Sequence, residues 1–277
     1  MAVEKTNSSS SSAEVIDRIL IKSLAVGMIA ASTLVSILGS PARAQILVNE
    51  ELSLLVDVSG SVDSTEFDLQ KTGYVNAFNN IDFTGANFAA NFIYWSGANH
   101  QQQAVGWTHI TGNASAQAFA SLIAATARPF SGSTAPGSAI NFAVPLFQNN
   151  GFDSQKQKID VAGDGSENDG FDTTTARNNA LSAGIDQING LPILGEPNLA
   201  QWYQNNIQGG VGSFIIPANS FADFSDTIKA KIEIEVPPTP PKPTPEPTSI
   251  ISLFVLGTLG AASTLKRKLK SSKSDEN

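Results

Sequence analysis

No cysteine occurs among the 277 residues, so neither a disulfide nor a thiolate metal site is available to this chain. A domain of ordinary size needs no disulfide even in an oxidising compartment. Histidine is almost as scarce. His100 and His109 are the only two; both fall in a polar stretch around the expected second and third strands and read as surface residues rather than ligands. Basic residues are few as well, 17 Lys and Arg against 25 Asp and Glu. Between residues 45 and 247 the balance is 8 against 20, a net −12. Such a surface repels nucleic-acid backbone and anionic lipid and favours cations or basic partners. No internal repeat is visible.

What is present is enough for one α/β domain plus tails: 41% of the residues are hydrophobic, and the length suits one ordinary core. The ends read as processing signals. Arg18 and Lys22 precede an apolar run over residues 24–38, and Pro41-Ala42-Arg43-Ala44 offers a small-x-small cleavage pattern, so residues 1–44 are expected to be a signal peptide cut after Ala44. The run is short for a membrane span, which is the alternative. At the other end, residues 237–248 form a proline-threonine linker. Residues 249–277 follow as an apolar segment closed by Lys266-Arg267-Lys268-Leu269-Lys270. Pro245-Glu246-Pro247, the apolar segment and the basic cluster, in that order, resemble the PEP-CTERM sorting signal. That resemblance implies an exosortase as processing partner and transient insertion in the membrane; a tail anchor that stays attached is the alternative.

The most informative stretch is Asp57-Val58-Ser59-Gly60-Ser61, directly after the apolar strand at residues 52–56. One carboxylate and two hydroxyls at alternate positions offer three hard oxygen ligands on one turn, the outline of a divalent-cation site. The same residue types build ordinary turns. The strand pattern is that of a parallel sheet covered on both faces, and ligands of open α/β sheets bind beyond the carboxyl ends of such strands. Two further segments contribute oxygen. A glycine-rich loop, residues 131–137, presents Thr134 ahead of a helical stretch at 138–147, and a second buried-looking strand ends at Asp164.

Together the three segments resemble the metal-ion-dependent adhesion site (MIDAS) of von Willebrand factor A (vWA) domains. The resemblance implies that Asp57, Ser59, Ser61, Thr134 and Asp164 surround one Mg²⁺ or Mn²⁺. Trp95-Ser96-Gly97, residues 159–165 and residues 188–193 further resemble a bacterial branch of exported A-domain proteins of unassigned function, in which serine usually stands where this chain has Ala162. Asp160, inside an apolar strand, needs a partner or a donor and reads as a satisfied structural aspartate.

The expected fold is a doubly wound, mostly parallel sheet with helices on both faces, occupying residues 45–236. Asp63-Ser64-Thr65-Glu66 has the spacing of a capping box and should open a helix running to about Asn79. Strands are expected at 91–95, 104–110, up to Asp164, 187–193 and 213–217. Helices are expected at 114–127, 173–183, 199–207 and 221–233, the last with Phe221, Phe224, Ile228 and Ile232 on one face. Glu167, Asp169 and Asp172 form an acidic loop on the rim of the site, either a solvated loop or a second cation site. Trp202 and Tyr203 read as ordinary amphipathic-helix residues.

The resemblance implies recognition rather than catalysis: the cation keeps a coordination position for a carboxylate of a protein or matrix partner. Export would place the protein in the cell envelope or outside the cell, anchored in the membrane until its C-terminal processing. A phosphatase or esterase using the same cluster is the enzymatic alternative. Ser59 lacks the Gly-x-Ser-x-Gly elbow, and Ser59 stands where a haloacid-dehalogenase-like phosphatase carries its second carboxylate. A structural matrix protein with a vestigial site is the remaining alternative.

Overall fold

The structure is a computed structural model that describes residues 45–237. The expectations for residues 1–44 and for Pro245, Glu246, Pro247 and the segment after them lie outside the described residues. The chain divides into two units, Met1–Ile46 and Leu47–Asn277, and the main sheet with its helices lies in the second.

A small two-stranded sheet joins β1 (Ile46–Val48) to β5 (Phe152–Ser154), two pieces too short to leave a periodic signal. The main sheet has five strands: β2 (Glu50–Asp57), β3 (Phe88–Trp95), β4 (Gln101–Ile110), β6 (Gln157–Gly163) and β7 (Gln187–Pro192). Their order across the sheet is β4-β3-β2-β6-β7. β2 pairs in parallel with β3 and with β6, and β6 with β7. β4 alone is antiparallel, returning from β3 through a short connection. The expected mostly parallel α/β sheet is the sheet observed. Its inner strands β2 and β3 are buried almost throughout, which is why they read as near-continuous apolar runs.

Helices cover both faces: α1 (Ser64–Asn80), α2 (Asn113–Ala124) and α6 (Phe224–Glu235) on one, α3 (Pro136–Ala143), α4 (Thr173–Ser182) and α5 (Leu199–Asn206) on the other. The period of two along β2 sorts its side chains. Leu52, Leu54 and Val56 face Tyr74, Phe78, Phe119 and Phe224. Leu55 joins Ile93, Val161, Ile140 and Tyr203 in the second core. The same alternation along β6 sends Ile159 and Val161 to the second core, so Asp160 faces the layer of α6. There it meets Lys231 at 2.6 Å, with both side chains fully buried. The capping box is present: Asp63 accepts from the Glu66 amide and Glu66 from the Asp63 amide. Gly73 lets α6 approach α1, since a Cβ there would stand 2.6 Å from the Phe224 ring.

Two expectations need correction. Residues 213–217 are not a regular strand. They touch the sheet edge through isolated bridges at Ile215 and, just beyond, Ala218, because Gly210 and Gly212 have positive φ and Pro217 has no amide to donate. The segment at 221–233 begins as a 3₁₀ turn, Phe221–Asp223, before α6 proper. Phe224, Ile228 and Ile232 are buried, whereas Phe221 is only partly covered.

Candidate metal centre

β2 delivers Asp57 to the carboxyl edge of the sheet, in register with Trp95 of β3. Asp57 Oδ1 accepts a hydrogen bond from the Ser59 amide at 2.7 Å, which curls the chain into a turn and places the Ser59 and Ser61 hydroxyl oxygens 3.1 Å apart. Ser61 then donates to Asp164 Oδ1 at 2.7 Å. Asp164 follows the last residue of β6, whose register sets Ala162 opposite Val56. Thr134 arrives from the loop before α3. Its amide donates to Asn168 Oδ1 at 2.9 Å while the Asn168 amide donates to the Thr134 carbonyl at 3.0 Å, so the two loops clasp each other. Ser61, Thr134 and Asp164 line one cavity of about 430 Å³ with Asn168 and Glu196. The structure therefore brings together all five side chains singled out in the sequence.

Asp57 is wholly buried, and its Oδ2 has no hydrogen-bond partner. Burial pushes its carboxyl up to about 7, with the neighbouring charge of Asp164 adding to the rise and the Ser59 hydrogen bonds opposing it. Asp164 is raised as well, first by burial. A buried carboxylate with one oxygen unpartnered beside a second carboxylate is destabilising by itself, and a cation between them would offset both costs. The donor set contains oxygen only, from two carboxylates and three hydroxyls, the chemistry of a hard divalent ion such as Mg²⁺ or Mn²⁺. The residues present fit such an ion: Asp57, Ser59, Ser61, Thr134 and Asp164 would hold it, and it would supply a positive centre that attracts a carboxylate.

Three supporting residues escaped the sequence reading. Gln70 Nε2 donates to the Asp57 carbonyl at 3.2 Å; it is a fully buried polar residue in the helical row of Phe67 and Tyr74, a polar intruder that was legible in the sequence. Arg128 donates to the carbonyls of Val58 at 2.8 Å and Ser59 at 2.7 Å and so ties the Asp57 turn to the next loop. No local pattern marks Arg128. Tyr203 is the third, and it is more than an ordinary helix residue. Its hydroxyl is buried without a partner, and a Cβ on Gly163 would stand 2.8 Å from both that hydroxyl and Asp57 Oδ2. The two oxygens are thus no farther apart than twice that distance, and only glycine at 163 leaves them this space.

The acidic loop is built of structural carboxylates. Asp172 caps α4 through the Thr175 amide, Glu167 accepts from the Thr173 amide and hydroxyl, and Asp169 accepts from the Ala98 amide. Among the described residues no three His, Asp or Glu side chains converge to hold a second ion. His109 bonds Asn87 at 2.8 Å. His100 is exposed and stacks on Phe130. The hydroxyls of Ser59 and Ser61 bond each other and Asp164 rather than an imidazole.

A family model described as "Protein of unknown function (DUF1194)" matches residues 47–240, more than half of the chain. The chain belongs to the DUF1194 family. A comparison with curated proteins finds no match. Among solved structures, the DUF1194 chain is similar to proximal thread matrix protein 1 (PTMP1) from the mussel byssus, with a TM-score of 0.51 at 15% identity, covering 69% of this chain and 47% of that one. A second PTMP1 structure, with a zinc-occupied MIDAS motif, gives a TM-score of 0.46 at 16% identity over 68% and 47% of the two chains. An aerotolerance-related membrane protein from Bacteroides fragilis gives 0.43 at 18% identity over 67% of this chain and 100% of that one. The DUF1194 chain spans about half the length of the mussel protein it matches. At such identities the likeness concerns fold alone, and the fold is the vWA-like α/β arrangement. Among the described residues no helix is long and apolar enough to cross a membrane.

Proposed function

We propose that this domain binds Mg²⁺ or Mn²⁺ through Asp57, Ser59, Ser61, Thr134 and Asp164, and that the cation captures a carboxylate of a protein or matrix partner. The observation that carries the reading is Asp57 Oδ2, buried and without a partner beside a second carboxylate and three hydroxyls. The zinc-occupied MIDAS of the mussel matrix protein is a property of that protein; in this chain the support comes from its own five oxygen-bearing side chains.

The protein acts outside the cell in this reading. The signal at residues 1–44 directs export, and the segment after Pro245-Glu246-Pro247 holds the chain in the membrane until an exosortase-type enzyme removes it. The site recognises rather than turns over its ligand in this reading: among the described residues no imidazole bonds Ser59 or Ser61, and the Asp164 carboxylate that accepts from Ser61 is itself counted among the cation's ligands. Binding of the secreted fraction to the immobilised protein tests this, with Mg²⁺, with chelator, and with Thr134→Ala. Capture should need the cation and weaken in the variant. Capture indifferent to chelator, together with phosphatase or esterase turnover lost in Ser59→Ala, would establish the hydrolase instead.

A further inference from the structure

A second cleft, of about 350 Å³, opens beside the cavity of the candidate metal centre, and the two share Asp164 and Gly195 as a common wall. Their linings differ. The first is polar, with Ser61, Thr134 and Asn168. The second is built from Leu69 of α1, Ile193 and Leu194 after β7, and Phe221 and Ala222 of the 3₁₀ turn before α6. Leu69 and Leu194 remain 39% and 37% exposed, although both are large apolar residues. The backbone between the clefts is held in place: the Ile193 amide donates to the Gly163 carbonyl at 2.9 Å, the Leu194 amide to the Ala218 carbonyl at 2.8 Å, and Ser166 is bonded to Glu196 through both its amide and its hydroxyl. Leucine side chains left half-open on a fixed frame, next to a polar cavity, form a preorganised apolar site rather than a loose patch.

Charge narrows the occupant. Glu66 lines the apolar cleft, Glu196 the polar one and Asp164 both, while no lysine or arginine lines either. A strongly anionic partner is repelled everywhere except at a bound cation, and a basic side chain next to either cleft is attracted.

We infer that the two clefts are one groove for an extended peptide segment of a protein partner, in which one acidic residue meets the cation, a large apolar side chain fills the cleft between Leu69, Leu194 and Phe221, and a neighbouring basic residue faces Glu66 or Glu196. This rests on the cation reading for the acidic residue only. In an extended segment, side chains on one face recur every second residue, so the apolar residue stands two positions from the acid. Burial of one leucine-sized side chain is worth about ten- to hundredfold in affinity.

The test pans a phage library of random dodecapeptides on the immobilised full-length protein in Mg²⁺, then measures one enriched synthetic peptide against variants. Enriched sequences should pair Asp or Glu with Leu, Ile or Phe two residues away and carry a Lys or Arg nearby. The double variant Leu69→Ser, Leu194→Ser should bind that peptide about tenfold or more weakly while its calorimetric Mg²⁺ affinity stays that of the wild type. Peptides enriched for the acid without an apolar companion, binding unchanged in the double variant, or no enrichment at all would overturn the groove. Apolar peptides that bind equally in chelator and in Asp57→Ala would uphold the apolar cleft and refute the cation reading, so the two failures are distinguishable.

Discussion

Replacing Lys231 by Met should cost the fold about 3–5 kcal/mol, the range for removing one partner of a buried ion pair. Lys231 is fully buried and lies 2.6 Å from Asp160 Oδ1. It also pairs with Glu235 one helical turn on, and Asn189 donates to that same glutamate at 2.8 Å. Asp160 gains no further hydrogen bond on either oxygen, so the ammonium is its whole compensation. Methionine keeps most of the lysine stem and removes only the charge, leaving two carboxyls buried around an apolar tip. Against a total stability of about 5–15 kcal/mol for a domain of this kind, the loss is a large fraction. Urea unfolding at neutral pH reads it directly. The deficit should shrink as the pH is lowered and Glu235 takes up a proton, and it should be relieved by adding Asp160→Asn and Glu235→Gln to the same chain. A Lys231→Met protein within about 1 kcal/mol of wild type, the scale of an exposed ion pair, would refute the reasoning.

Glu235 supplies a pH dependence of known sign. Burial, then the charge of Asp160, push its carboxyl up to about 7 from 4.5 despite Lys231. The folded state therefore keeps a proton that the unfolded chain releases, and this contribution is full below about pH 4.5 and lost as the pH rises through about 7. Relative to Glu235→Gln, the wild type should lose on the order of 3 kcal/mol across that window, measured as urea midpoints from about pH 4.5 to 8 in chelator; parallel profiles would contradict it. Gly163→Ala places a methyl 2.8 Å from Asp57 Oδ2 and from the Tyr203 hydroxyl. It should destabilise by about 1–3 kcal/mol and weaken cation affinity by about tenfold or more, whereas unchanged calorimetry would mean that the two oxygens move aside freely. Tyr203→Phe removes a buried, unpaired hydroxyl, so the cation-free protein should be as stable as wild type or about 1 kcal/mol more so, while Mg²⁺ affinity drops by up to about tenfold. Equal affinities would reduce Tyr203 to a packing residue.

The layers of the fold were legible because β2, β3 and β6 are buried on both faces and each carries an apolar stretch, broken in β2 by Ser53 and in β6 by Asp160. The capping box fixed the start of α1 from side chains alone. The candidate site was legible for a similar reason: Asp57, Ser59, Ser61 and Asp164 end strands or sit one turn beyond them, so their convergence follows from the parallel register. What remained hidden depends on contacts across long separations. Asp160 announced the need for a partner, but nothing in the helical pattern of residues 221–233 singled out Lys231, which occupies a buried position normally given to an apolar side chain. Arg128 reaches the Asp57 turn through the Val58 and Ser59 backbone carbonyls, some seventy residues earlier. Tyr203 is distinguished by a space that Gly163 leaves open on another element. The interrupted edge at residues 213–217 read as a strand because Phe214, Ile215 and Ile216 form a short apolar run, while Gly210, Gly212 and Pro217 break the ladder.

The central claim is that Asp57 is the anchor of a divalent-cation site, and calorimetric titration of Mg²⁺ and Mn²⁺ into wild type and Asp57→Ala tests it most directly. The wild type should bind one ion. Asp57→Ala should bind none while keeping its far-ultraviolet circular dichroism, because the carboxylate sits at the edge of the sheet and the turn it holds through the Ser59 amide is also tied by Arg128. Affinity unchanged in Asp57→Ala, or no binding to the wild type of either ion, would contradict the account.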